Sequence, residues 1–183
     1  FYGPALPEKA RIVFHVVLRP AVEGVEARST ASVWEDHVVI EVGGEAPEER
    51  IGAVFHELCR YFYWARPIDA RLSLLGTFAF SPEPAALGLY SLFDEAVASA
   101  LADGLVAEHV LGPERTAPLL EKELGLHHDP YVDAAAKALI RPLERRLGGG
   151  GRLDAAFAKE YLRLTSEALG RSEEHTSELQ SRQ

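Results

Sequence analysis

An α+β fold, with a small antiparallel β-sheet followed by a mainly helical half, is the class this sequence predicts. Three observations predict it. β-Branched and aromatic runs crowd the first 44 residues, and helical periodicity takes over from residue 45. The chain has 183 residues, 47% of them hydrophobic, which is enough apolar material for a core. Residues 1–170 are therefore read as a single domain, with 1–44 forming the sheet and 45–170 the helices.

The elements follow in order. Phe1 to Lys9, with Pro4 and Pro7, reads as an extended lead-in. Ile12 to Leu18 is a β-branched and aromatic run that ends before Pro20 and reads as a buried strand. Glu23-Gly24 is a turn signal. Ala27 to Trp34 and His37 to Val42 read as two further strands joined at Glu35-Asp36 and closed by Gly43-Gly44. Pro47, Glu48 and Glu49 then open a helix with a stiff residue and acidic charge at its start. Ile51, Val54, Phe55, Leu58 and Phe62 recur along it as one apolar stripe, and Pro67 ends it. His56 and Arg60 lie a turn apart on the other face, beside Gly52 and Tyr63, and that face suits the lining of a cleft.

Ala70 to Pro84 reads as irregular, with Pro82 and Pro84 marking a loop. Tyr90 to Val110 is a helix rich in Ala and Ser, whose small side chains let another helix approach closely around Glu95. Glu114 to Leu124 and Pro130 to Leu147 are further helices, the second carrying Pro142 as a bend point. Gly148 to Gly151 is a flexible break. Leu153 to Leu169 forms the last amphipathic helix, capped at Gly170.

Charge and composition exclude some functions. A formal net charge of −9 argues against phosphate-backbone binding, so no nucleic-acid partner is expected. No apolar stretch is long enough for a helical membrane span. The single Cys59 allows no internal disulfide. The chain begins at Phe1 and lacks methionine, so it reads as a processed product or a metagenomic fragment of a longer reading frame, and its compartment stays open. Arg171 to Ser181 resembles the translation of a sequencing-library adapter, and residues 171–183 are expected to be a disordered tail foreign to the domain.

The chemistry-bearing stretch is His56-Glu57-Leu58-Cys59-Arg60, one residue short of His-Glu-x-x-His. In that motif two imidazoles four apart grip zinc while the Glu polarises the metal-bound water. Arg60 stands where the second imidazole belongs, and a guanidinium has no free lone pair and repels a dication. Val54 to Phe62 is similar to the active-site helix of the gluzincin metallopeptidases. Phe93-Asp94-Glu95-Ala96-Val97-Ala98-Ser99-Ala100-Leu101 is similar to that family's ligand-bearing helix. The resemblance covers about Val33 to Val110.

It implies a zincin-like helical subdomain in which His56 is the first zinc ligand, Glu57 the general base and Glu95 the third ligand. The implied activity is hydrolysis of a peptide or protein substrate through a Glu-activated, zinc-bound water, impaired here by Arg60. The alternative is a metal-free pseudoenzyme or peptide-binding module on the same scaffold. Substrate would add as a strand along Ala27–Trp34 or His37–Val42. Ser99 replaces the Asp that supports a ligand His in the thermolysin-like branch, so that support is expected to be missing. Arg60 has three readings: loss of metal binding, a misread His codon, or an ion pair with Glu57 or Glu95.

Simpler readings compete at each position. His56-Glu57 is also a chance helical pair, and Glu95 an ordinary buried carboxylate paired with Arg60. His127 and His128 are either a transition-state donor or solvated loop residues. His15 and His37 lie in strands and read as structural, Cys59 as a small apolar filler, and Tyr61 and Tyr63 as packing or cleft residues.

Overall fold

The computed structural model describes residues 1–2, 11–20, 30–43 and 51–181. Three strands, β1 (Val13–Arg19), β2 (Thr30–Trp34) and β3 (His37–Gly43), precede the helices. These are α1 (Ile51–Trp64), α2 (Ile68–Ala79), α3 (Ala86–Ser91) and α4 (Phe93–Ser99), followed by a π-helical segment (Ala100–Val106). Then come α5 (Ala107–Leu111), α6 (Pro113–Glu121), α7 (Pro130–Gly148) and α8 (Ala155–Ser181). The architecture is α+β and mainly helical. No described helix is long and apolar enough to cross a membrane.

The sheet is mixed, which corrects the antiparallel expectation. Its order is β1-β3-β2, with β3 antiparallel to β2 and parallel to β1. The two-residue turn at Glu35-Asp36 forces β2 and β3 to run in opposite directions, and Glu35 adopts a φ of 54° to make it. β3 carries Val38, Ile40 and Val42, all buried, so it takes the centre and meets β1 on its free side. A parallel pairing evens the spacing of the ladder bonds but needs a crossing connection, which no local pattern announces. β1 is also not the buried strand its composition suggested. Val16 and Leu18 remain 56% and 71% exposed, because the described helices cover β3 and not the outer strand. The turn expected at Glu23-Gly24, residues 27–29 of the second strand, and the Pro47 helix start lie outside the described residues.

α1 is the layer between sheet and helices. Val54 packs on the β3 side chains, while Gly52 and Tyr63 are its most buried residues and face the other way. The apolar stripe expected along Ile51, Val54, Phe55, Leu58 and Phe62 is only half-buried. A helix held between two layers buries part of every face, so no single stripe dominates.

The main core is aromatic. Phe78, Phe93, Phe157 and Tyr161 are fully buried, and the Phe93 and Tyr161 rings meet edge to face at 4.8 Å. Each such side chain contributes roughly 1.5–3 kcal/mol through burial. Tyr161 also donates its hydroxyl to Leu89 O at 2.9 Å, so its polar end is not left unpaired. Phe1 stacks edge-on to Phe157, and its carbonyl accepts from Leu153 N, so the first residues join the helical core and not the sheet.

Two further expectations change. Residues 68–79 form α2 where an irregular stretch was read; Leu74 and Phe78 anchor it in the core while Ile68 and Leu72 stay exposed. α8 continues past Gly170 to Ser181, so the expected disordered tail is helical over 171–181. Extending an existing helix costs far less than nucleating one, and the Ser/Glu-rich sequence there contains no proline to stop it. α7 runs through Pro142 and is capped at its start by Asp129, whose Oδ1 accepts from Tyr131 N and Val132 N.

Candidate functional site

The side chains singled out on α1 and α4 meet. His56 Nε2 lies 2.9 Å from Glu95 Oε2, although the two are 39 positions apart in the chain. The other carboxylate oxygen, Glu95 Oε1, is 3.1 Å from Arg60 Nε. That contact is poorly aligned for a hydrogen bond, so it acts mainly through charge. Arg60 also approaches Glu57, with its NH1 nitrogen 3.7 Å from Oε1. One helix turn separates His56 from Arg60, which places both over the same stretch of α4. The small residues expected around Glu95 make this possible. Ala96, Ala98, Ala100 and Ala102 are all buried, and α1 packs directly against the α4 and π-helical segments that carry them.

A fifth residue completes the cluster. His56 Nδ1 lies 3.4 Å from Asp103 Oδ2, so the imidazole is held between two carboxylates. The π-helical segment is what delivers Asp103. Eight α-helical steps from Glu95 would leave it about 80° round the axis, at about 100° per residue. A π turn holds more residues, at roughly 82° each, and four such steps remove most of that offset. Gly52 provides the space on α1, since a Cβ there would stand 2.5 Å from Asp103 Oδ1. The carboxylate support expected to be missing at Ser99 is therefore present, four residues further on. Ser99 itself is buried with an unpartnered hydroxyl.

Electrostatics follow from this geometry. Burial works against a charge on His56. Hydrogen bonds to Asp103 and Glu95, with the fields of both carboxylates, outweigh it and raise the imidazole to about 9. Near neutral pH it is an imidazolium with both nitrogens donating. Glu95 is held below the usual carboxylate range, first by its hydrogen bond to His56 and then by the charges of Arg60 and His56, against burial. Glu57 moves the other way: burial raises it, and Arg60 and His56 only partly offset that. Cys59 is half-buried, and burial pushes its thiol up to about 11, in keeping with the filler role.

His127 also belongs to the site. Its ring lies parallel to that of His56, 12° apart in plane with centroids at 6.5 Å, whereas His128 is exposed. Buried Asp133 builds the loop, its Oδ1 accepting from Leu126 N and His127 N while Oδ2 pairs with Lys137 at 2.7 Å. His127 is lowered, mainly by burial and then by the charge of His128. Its Nδ1 accepts from Asp129 N at 3.0 Å.

Zinc, which the resemblance implies, does not fit the residues as they stand. His56 and Glu95 are two donors on a common point, but a guanidinium holds the third position and spends its charge on the same carboxylate. Among the described residues, no group of three or more His, Cys, Asp or Glu is placed to hold a metal. A structural zinc site takes four protein ligands and a catalytic one three.

A cleft of about 560 Å³ opens beside these residues, lined by Ser32, Glu35, Glu57, Arg60, Tyr61 and Trp64. Its walls are α1 and the β2 edge of the sheet. β2 pairs only with β3 among the described residues, which leaves Thr30–Trp34 as the candidate edge and removes His37–Val42, the central strand. Tyr61 is at the cleft, whereas Tyr63 is buried in the core. No protein-family model, curated protein or solved structure matches the chain significantly.

Proposed function

We propose that this chain is a metallopeptidase-like protein in which Arg60 has taken over the place of the metal, and that it acts as a peptide-binding module. The observation that carries the reading is the pairing of both Glu95 oxygens, one with Arg60 and one with His56. The would-be ligand carboxylate is satisfied by two cations of the chain itself. The cleft supports a peptide ligand: a strand edge unpaired among the described residues forms one wall, and Glu57 and Arg60 stand on the other. A carboxylate accepts from peptide N–H groups and a guanidinium donates to carbonyls, so the pair suits an extended backbone. Tyr61 and the half-exposed Trp64 offer apolar surface for its side chains.

Metal analysis tests the lineage half of this reading. Arg60→His should bind about one more equivalent of zinc than the unaltered chain, because a third donor joins His56 and Glu95. No difference between the two proteins would sink the lineage. For the binding half, tryptophan fluorescence should respond saturably to a mixture of casein-derived peptides and lose that response in Trp64→Ala. An unresponsive native protein would remove the module.

A further inference from the structure

We propose that His15 and His37 form a metal site on the outer face of the sheet, suited to copper(II) or nickel(II). The inference does not depend on the cleft or on the peptidase resemblance, since neither residue belongs to them.

The sheet register creates the pair. β1 and β3 run parallel with Val13 opposite His37 and His15 opposite Val39, so the two histidines are diagonal neighbours. Val38, Ile40 and Val42 take the covered face of β3, which turns His37 outward by strand alternation. His15 points the same way on β1. Their rings lie 22° from parallel with centroids at 5.1 Å, and His15 Nε2 is 2.8 Å from His37 Nδ1. Both residues are exposed, so an ion reaches them without any rearrangement of the core.

The spacing selects the metal. With metal–nitrogen bonds of about 2.0–2.1 Å, cis nitrogens at a right angle sit about 2.9 Å apart and tetrahedral ones about 3.3 Å. The observed separation matches the right angle, which belongs to the square-planar or tetragonal coordination of copper(II) and nickel(II). Asp36 Oδ1 lies 3.5 Å from His37 Nε2, on the far side of the ring from His15. A carboxylate there favours the tautomer that leaves Nδ1 with its lone pair. In the metal-free pair one ring donates its N–H to the other. On binding, that proton moves to His15 Nδ1 and frees Nε2, so two neutral imidazoles coordinate and water fills the remaining positions. Arg19, on the same face of β1, is paired with Glu41 at 3.3 Å and offers little repulsion.

Isothermal titration of chelator-treated protein carrying no histidine tag tests the site. Copper(II) should bind at one equivalent, more tightly than nickel(II) and zinc, following the general order of divalent affinities. His15→Ala and His37→Ala should each abolish that equivalent, and His56→Ala should retain it. Electron paramagnetic resonance of the copper(II) form of the unaltered chain should show two imidazole nitrogens, a readout that needs no variant to fold. Absence of a saturable equivalent would overturn the proposal. So would an equivalent that survives both His15→Ala and His37→Ala, or a copper signal without two nitrogen donors.

Discussion

The helical half and the sheet are built to different standards. In the helices, four aromatic rings join α2, α4 and α8, α1 packs on α4 and the alanine-rich π segment, and His56, Glu95 and Asp103 meet within that packing. Among the described residues the sheet has Val38, Ile40 and Val42 as its core, helped by Ile12 and Val54, and β1 keeps apolar side chains in water. The difference teaches where precision was needed. Charged groups must meet to within tenths of an ångström, while the strand wall of a cleft only has to present an edge.

The largest effect that could break this contrast is in the core. Phe93→Ala should cost about 3–5 kcal/mol in chemical denaturation, since it empties the centre of the ring cluster. Val16→Ser on β1 should stay within about 0.5 kcal/mol. Equal costs would mean the two halves are not built differently.

Next in size is the pH dependence of His56. Its folded value of about 9 lies above the ordinary imidazole value of 6.5, so the folded state holds an extra proton between them. The associated stability is fully present below about pH 6.5 and is lost as pH rises through 9, by up to about 3 kcal/mol. Urea midpoints should therefore fall over that window, and His56→Gln should flatten the fall. A slope unchanged by the substitution would place the titrating group elsewhere.

The smallest effect sharpens the picture most. A Gly→Ala change inside a helix normally gains about 1 kcal/mol. Gly52→Ala should gain nothing, because its Cβ displaces the Asp103 carboxylate. An NMR titration should show the His56 value dropping below that of the native chain. A stabilised variant with an unchanged His56 would disconnect Gly52 from Asp103.

Much of the helical half was legible because its signals are local. Asp129-Pro130 starts α7, and the Glu95 helix shows its small residues directly. The meeting of His56 with Glu95 is what the family resemblance implied. Asp103 was not legible: eight positions after Glu95 it belongs to another α-helical face, and only the wider π turns bring it round. α2 escaped notice because its apolar residues are split between core and surface, so no stripe forms. Strand order escaped for another reason. β1 and β3 are paired by which strand can be covered, and coverage is a property of the whole packing. His127 carried no spacing signal relative to His56; a buried Asp six residues later places it.

Arg60 is a positive charge joined to its site by covalent bonds. Chelators cannot strip it, dilution cannot release it, and scarcity of a trace element cannot leave Glu95 without a counter-charge. On the function proposed above, a scaffold equipped in this way trades a coordination position for constancy. The charge beside the cleft then stays the same whatever metal ions the surroundings supply.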